Sequence, residues 1–123
     1  MVHRILVVDD EPDFCAALHD ILESDGYDVH QAPNALAALI LLENLLPDLI
    51  LTALMMPGMD GLAFLREVRA NQSLSTVPAV VVSAKGTAQD IAAARDAGAN
   101  AYLTKPFSAR ELRETVKSFV TAA

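Results

Sequence analysis

The sequence predicts an α/β protein with one parallel β-sheet covered by helices on both faces. Two observations predict this class. Short apolar segments alternate with helical patterns five times along the 123 residues, which is typical of successive βα units. Most of the short segments are continuous apolar runs, as in strands buried on both faces. No linker, repeat or low-complexity segment divides the chain, so residues 1–123 are predicted to form a single domain.

The first unit begins with the strand "RILVVDD", which is rich in Val and Ile. The next segment places apolar residues at i, i+4, i+7 and i+8, on one helical stripe: Phe14, Leu18, Ile21 and Leu22. Gly26 follows this helix as a stop signal. Cys15 lies within the same pattern and is therefore predicted to be a packed core thiol rather than a nucleophile.

The second unit has a weaker strand, "YDVHQA", and a helix, "NALAALILLENLL", which begins after Pro33 and is predicted to end at Pro47. This helix is apolar nearly all round, with only Glu43 and Asn44 polar. A helix that covers one side of a sheet usually keeps a polar face toward water. We interpret it either as exposing a contact patch or as packing against something outside this chain.

The third unit pairs the strand "DLILTA" with the helix "GLAFLREVRAN". We expect Asp60 to cap this helix, and Leu62, Leu65 and Val68 to face the core.

The last two units complete the pattern. The strand "VPAVVVSA" precedes an alanine-rich helix, "TAQDIAAARDAG", which is closed by Gly98. The strand "AYLT" precedes the helix "SARELRETVKSFV", in which Ser108 and Glu111 have the spacing of a capping box.

Composition limits the function. The net charge of −7 argues against direct binding to nucleic acid, because phosphate contacts need clustered Lys and Arg. A single cysteine excludes an intramolecular disulfide and fits a reducing compartment. No apolar run is long enough to cross a membrane, and the N-terminus lacks a signal-peptide pattern. We therefore expect a cytoplasmic protein with no membrane partner.

Three strand ends carry residues suited to chemistry, and ligands of open α/β sheets bind at the carboxyl ends of the strands. Asp9 and Asp10 follow the first strand, Ser83 ends the fourth and Lys105 follows the fifth. Alone, the acids could be a solvated turn and Lys105 a surface lysine. Together they suit a Mg²⁺ ion and a phosphoryl group. A cis bond between Lys105 and Pro106 would aim the lysine into the cleft.

These residues lie in four segments, "ILVVDDEP", "PDLILTALMMPGMDG", "VVVSAKG" and "GANAYLTKPF". In this order and spacing, the chain resembles the receiver domain of two-component response regulators, the family of the single-domain chemotaxis regulator, over essentially its full length. The resemblance implies a flavodoxin-like, doubly wound (βα)5 fold with a five-stranded parallel sheet of order 2-1-3-4-5.

The resemblance also implies roles for individual residues. Asp9 and Asp10 match the acidic pair that holds Mg²⁺, and Met55 would add a backbone carbonyl to the same ion. Ser83 matches the switch hydroxyl that contacts the phosphoryl group, and Tyr102 matches the aromatic switch residue. The last match is Lys105, whose counterpart pairs with the phosphoryl oxygens.

Ala53 departs from the family pattern, which has an aspartate there as the nucleophile that takes phosphate from a histidine kinase. A methyl group can neither attack phosphorus nor bind a metal, so this chain should not be phosphorylated at that position and should bind Mg²⁺ more weakly. Either the chain is a natural pseudo-receiver that acts as a phosphate-independent interaction module, or a parental aspartate has been replaced. We favour an engineered replacement, because a receiver freed from phosphate chemistry would be expected to lose other site residues too.

Among neighbouring residues, none is well placed to substitute. Thr52 should point to the opposite face of the sheet, and Asp48 lies near the far end of the strand.

The resemblance further implies partners. These are a sensor histidine kinase or phosphotransfer protein, and an output protein or domain that docks on the face of helix four, strand five and helix five. The small alanines of helix four would suit docking of a partner or of a second copy of the chain, although they fit equally well with good helix propensity alone. In this unphosphorylated chain we expect Tyr102 to sample an outward rotamer. The domain is not an enzyme in the usual sense, although the parent would catalyse its own phosphorylation and dephosphorylation.

A third class, a small enzyme or an FMN-binding protein, fits less well. The phosphatase-type D-x-D signature is absent, and the first βα loop, "DDEPD", would repel a cofactor phosphate. The chain also has no glycine-rich phosphate cradle.

Overall fold

The computed structural model describes residues 2–120. Within them, five strands alternate with five helices, and all neighbouring strands are parallel in the order β2-β1-β3-β4-β5. The predicted fold class and strand order are therefore confirmed. The elements are β1 Arg4–Val8, α1 Pro12–Ser24, β2 Asp28–Ala32, α2 Ala35–Leu41, β3 Leu49–Ala53, α3 Gly61–Ala70, β4 Ala79–Ser83, α4 Ala88–Ala97, β5 Ala101–Thr104 and α5 Ala109–Val120.

The core has two layers, one on each face of the sheet. Helices α1 and α5 cover one face, and α2, α3 and α4 cover the other. The central strands β3 and β4 are buried at every position, as their continuous apolar sequences predicted. Cys15 is buried in the α1 layer, and its Sγ donates a hydrogen bond to the Asp9 carbonyl at 3.3 Å. The prediction of a core thiol is confirmed.

Local capping chemistry follows the sequence signals. The Asp60 carboxylate accepts from the Ala63 N–H at 2.9 Å and caps α3. Ser108 and Glu111 exchange the two hydrogen bonds of a capping box at the start of α5, at 3.0 and 3.2 Å. Gly26 and Gly98 follow α1 and α4 with φ of +92° and +117°, a conformation that costs glycine little.

The prediction for the end of α2 was wrong. The helix ends at Leu41 rather than at Pro47. After Leu41 the backbone tightens, because the N–H groups of Glu43 and Asn44 donate to the carbonyls three residues earlier, those of Ile40 and Leu41, instead of four residues earlier. Two apolar side chains of this short helix, Leu36 and Ile40, are 62% and 65% exposed. The interpretation that part of the helix is exposed therefore agrees with the structure, and its use as a contact surface stays a prediction.

The predicted core face of α3 is confirmed, and the structure adds one residue to it. Leu65 and Val68 are buried, Leu62 is partly buried and packs against the same core, and Phe64, which the prediction left out, is fully buried. Gly61, the first residue of this helix, lies against the Ala53 backbone. A Cβ at Gly61 would come within 2.1 Å of the Ala53 carbonyl oxygen, so the close approach needs glycine.

The register of the sheet brings its carboxyl ends to one edge. Val8 is paired with Thr52, Ala53 with Val82, and Ser83 with Thr104. The residues that follow β1, β3, β4 and β5 therefore meet above the sheet. Within residues 2–120, no helix is long and apolar enough to cross a membrane.

Candidate functional site

An open cleft of about 440 Å³ lies at the carboxyl edge of the sheet. All the residues predicted from the sequence to take part in metal binding or phosphoryl transfer line this cleft: Asp9, Asp10, Ala53, Met55, Ser83 and Lys105. Of the switch residues, Ser83 lines the cleft and Tyr102 lies beside it. Two residues to which the sequence analysis gave no role in the site, Glu11 and Phe14, also line it.

Asp9 is the buried acid of the cleft, with only 3% of its surface exposed. Its Oδ1 accepts from the Glu11 N–H at 2.9 Å, and its Oδ2 lies 3.5 Å from the Lys105 Nζ. Burial raises the pKa of Asp9 above its ordinary value, against the opposing effects of the Glu11 N–H and the Lys105 charge. Among residues 2–120, Asp9 Oδ2 has no hydrogen-bond partner, and the Lys105 ammonium at 3.5 Å is the positive charge that it faces.

Lys105 is enclosed on several sides. Its Nζ lies 3.2 Å from Glu11 Oε1 and 3.5 Å from Asp9 Oδ2. The same atom lies 3.8 Å from the centre of the Phe14 ring. The Lys105–Pro106 peptide bond is cis. The Lys105 N–H donates to the Ser83 carbonyl at 2.9 Å, which ties the loop after β5 to the end of β4.

Ser83 presents its hydroxyl at the cleft. The residue is buried, and its Oγ accepts from the Lys85 N–H at 3.1 Å. Tyr102 is half-buried, and its hydroxyl donates to the Lys85 carbonyl. Burial raises the pKa of Tyr102 above its ordinary value. The ring is thus not fully buried against Ser83, and the expected outward rotamer stays a prediction.

Ala53 is the last residue of β3 and lies at the floor of the cleft with 6% of its surface exposed. Its neighbour Thr52 is fully buried, does not line the cleft, and donates its hydroxyl to the Ala53 carbonyl at 3.0 Å. Ala53 is therefore the residue of β3 whose side chain faces the cleft, and that side chain is only a methyl group. Met55, two residues on, is exposed at the rim.

The residues at the cleft fit a hard cation only in part. The free oxygen of Asp9 and the nearby carboxylate of Asp10 are the oxygen ligands that Mg²⁺ prefers, and Mg²⁺ usually keeps several waters. Within residues 2–120, however, no three acidic, histidine or cysteine side chains are arranged to hold a metal ion. The cleft therefore offers Asp9 and Asp10, the acidic pair implied by the resemblance, but no carboxylate at position 53.

The roles of Glu11 and Phe14 were missed by the sequence analysis. Glu11 directly follows the acidic pair, so the run "DDE" was a local signal that a third acid faces the same cleft. Phe14 was assigned only to the apolar stripe of α1. Its contact with Lys105 joins residues 91 positions apart, which no local pattern reports.

Five βα units with this strand order and a polar cleft at the carboxyl edge define the doubly wound, flavodoxin-like class of protein. Within that class, the chain belongs to the family of response regulator receiver domains, whose family model matches residues 5–117.

Relatives support this membership. The chain is 42% identical over 118 residues to an uncharacterized 14.6 kDa protein in the sodA1 3′ region of Leptolyngbya boryana, covering 96% of this chain and 90% of that protein. It is 36% identical over 117 residues to the DNA-binding dual master transcriptional regulator RpaA of Synechocystis, covering 95% of this chain and 48% of RpaA. The chain thus spans about half the length of this relative.

A solved structure has the same fold. The receiver domain of the sensor histidine kinase PA1611 from Pseudomonas aeruginosa matches with a TM-score of 0.91 at 30% identity, over 99% of this chain and all of that one. That structure holds a magnesium ion coordinated in the active-site cleft.

Proposed function

We propose that this chain is a receiver domain whose parent accepts a phosphoryl group from a histidine kinase on an aspartate at position 53. The observation that supports this is the cleft itself. Asp9, Ser83 and Lys105 line it together, and only the side chain that would carry the phosphoryl group is reduced to a methyl. In this form the domain is a non-phosphorylatable variant of a signalling protein.

With an aspartate at position 53, the chemistry is a group transfer between two proteins. One carboxylate oxygen attacks the phosphorus of a phosphohistidine, the new P–O bond forms, and the P–N bond breaks with its electron pair returning to the imidazole. The Lys105 ammonium and the Ser83 hydroxyl stabilise negative charge on the phosphoryl oxygens. A bound Mg²⁺ would neutralise part of the same charge.

The proposed metal site consists of Asp9, Asp10 and the Met55 carbonyl. The buried Asp9 Oδ2, which lacks a hydrogen-bond partner among the described residues, supports it, and so does the magnesium ion in the cleft of the PA1611 receiver domain. Because Ala53 removes a carboxylate from this cleft, we propose that Mg²⁺ binds more weakly here than to a variant with aspartate at position 53.

The origin of Ala53 has two explanations. Retention of the other site residues favours an engineered replacement of a parental aspartate. The alanine itself favours the second candidate, a natural pseudo-receiver that binds its partners without phosphate. The codon at position 53 in the native gene decides between them.

The proposed partners follow from family membership. A histidine kinase or phosphotransfer protein would deliver the phosphoryl group. An output protein, an output domain or a second copy would use the face of α4, β5 and α5, where Tyr102 meets the Lys85 carbonyl. RpaA is a DNA-binding regulator, so we propose that an output of this kind is reached through a separate domain or partner, because this chain itself is acidic.

The test is to restore the carboxylate. Ala53→Asp is incubated with acetyl phosphate and Mg²⁺, and intact mass is measured beside the unchanged chain and Ala53→Asn, a close match in shape without a nucleophile. We expect the mass of one phosphoryl group on Ala53→Asp alone, dependent on Mg²⁺. An inert Ala53→Asp variant that folds normally would favour the pseudo-receiver.

A further inference from the structure

Lys105 rests on an aromatic ring at the edge of the cleft. Its Nζ lies 3.8 Å from the centre of the Phe14 ring, well inside the distance at which an ammonium is attracted by the face of an aromatic ring. Two carboxylates flank the same ammonium, Glu11 at 3.2 Å and Asp9 at 3.5 Å. The lysine therefore has ordered partners even though it is a long and otherwise flexible side chain.

The ring is itself held in place. Phe14 is in the first turn of α1 and packs against the core layer of α1 and α5. The Phe107 ring meets it nearly at right angles, with the centroids 6.1 Å apart and an interplanar angle of 84°, a favoured arrangement of aromatic pairs. Lys105 and Phe107 come from the same loop, so this loop contacts Phe14 with two of its side chains.

The ring gives Lys105 something that the exposed carboxylate of Glu11 cannot. The Glu11 side chain is 67% exposed, and an ion pair with so exposed a partner is weakened by water and by the mobility of the side chains. A half-buried ring shields one side of the ammonium from water and does not neutralise its charge. The ammonium thus keeps its positive charge for an anion in the cleft.

We propose that Phe14 is a positioning residue for the phosphoryl chemistry, because its ring face fixes the Lys105 ammonium at the cleft. This inference rests on the proposed function. Without the ring, the lysine must be ordered from many rotamers each time it meets a phosphoryl group, and that ordering costs free energy. With the ring in place, the Lys105 side chain is already ordered at the cleft before the phosphoryl group arrives.

Packing alone predicts a different mutational pattern from positioning. Leucine at position 14 would fill much of the same apolar space but has no ring face, whereas tyrosine or tryptophan would keep one. Phe119→Leu is the matched control. Phe119 is also partly buried against the same core layer, and no lysine lies over its ring within the residues that the structure describes.

The first test uses the chain as it exists. It contains only three lysines, Lys85, Lys105 and Lys117, so the ε-methylene signals are readily resolved by NMR after assignment. Because the ring current of Phe14 acts on Lys105, we expect its signals to be shifted upfield from those of the other two. The shift should vanish in Phe14→Leu and survive in Phe119→Leu. Three coincident lysine signals in the unchanged chain would overturn the proposal.

The second test uses Ala53→Asp as background and measures the initial rate of phosphoryl uptake from acetyl phosphate. We expect Phe14→Leu to lower this rate between about 2-fold and about 30-fold, the range that corresponds to usual cation–π strengths. Phe14→Tyr and Phe14→Trp should restore most of the rate, and Phe119→Leu should leave it unchanged.

The outcomes are separable. Failure of Ala53→Asp itself to take up phosphate would contradict the proposed function, and the lysine shifts would still report on the ring contact. An unchanged or faster rate in Phe14→Leu, with Ala53→Asp active, would overturn the positioning role alone. Equal losses in the leucine, tyrosine and tryptophan variants would mean that Phe14 only packs, which also overturns it.

Discussion

Arg69 near the end of α3 offers the sharpest test of how the sheet and helices are held together. Its guanidinium donates to the Gly98 carbonyl from Nε at 3.0 Å and from Nη2 at 2.9 Å. It also donates to the Val77 carbonyl at 2.7 Å and to Asn100 Oδ1 at 3.1 Å. Within residues 2–120 these acceptors are neutral and Arg69 forms no salt bridge. We predict that Arg69→Met destabilises the domain strongly.

The magnitude follows from these bonds and from the cost of burying the charge. A hydrogen bond to a charged group contributes about 1.5–3 kcal/mol, but the bonds of Arg69 share one guanidinium and are not additive. Burial lowers the pKa of Arg69, because removing the charged guanidinium from water costs free energy. Methionine does not have this cost, which makes the expected loss smaller. Asn100 Oδ1 also keeps its bond from the Ala79 N–H at 2.9 Å. We therefore expect a loss of about 3 kcal/mol.

Urea unfolding followed by circular dichroism measures this loss, with thermal unfolding as a second readout. For a domain of this size, the loss corresponds to a fall in Tm of about 12 °C. Arg66→Met is the matched control, because Arg66 is on the same helix and exposed; it should cost less than about 0.5 kcal/mol. A loss below about 1 kcal/mol in Arg69→Met, or equal losses in the two variants, would refute the reasoning.

Two further predictions concern the acid of the cleft and the exposed helix. Because burial raises the folded-state pKa of Asp9, the folded chain holds this proton more tightly than the unfolded chain. Ionised Asp9 therefore costs stability above its folded pKa, and the cost disappears below the unfolded value of 3.8. Asp9→Asn should thus raise Tm at pH 7, and the gain should shrink toward zero as the pH falls below 3.8; a constant or growing gain would contradict this. Leu36→Gln combined with Ile40→Gln should change the free energy of unfolding by less than about 1 kcal/mol, because both side chains are already exposed. A larger loss in urea unfolding would show that these side chains are covered in solution.

Much of the fold was predictable because its signals are local. The alternation of strand and helix patterns, the caps at Asp60 and Ser108, and the glycine stops each depend on a few neighbouring residues. The end of α2 was not predictable in this way. The apolar run continues to Leu46, but the backbone forms turns after Leu41. The core face of α3 was predicted except for Phe64, whose burial depends on contacts with residues distant in the sequence.

The sequence predicted which residues form the site better than it predicted the contacts among them. The rule that ligands bind at the carboxyl ends of parallel strands identified Asp9, Ser83 and Lys105, and they line one cleft. The partners of Lys105 were not foreseen, because Glu11 and Phe14 come from the other end of the chain. Arg69 gave no signal either, since its acceptors are mostly backbone carbonyls and any residue type can supply them.

The central claim is that the cleft lacks one carboxylate and is otherwise a phosphoryl-accepting site. Peptide mapping of Ala53→Asp after treatment with acetyl phosphate and Mg²⁺ tests it most directly. We expect one phosphoryl group on residue 53, removed by hydroxylamine as an acyl phosphate should be, and none on the unchanged chain. Phosphate found on Thr52 or elsewhere, or an equal amount on both chains, would contradict it.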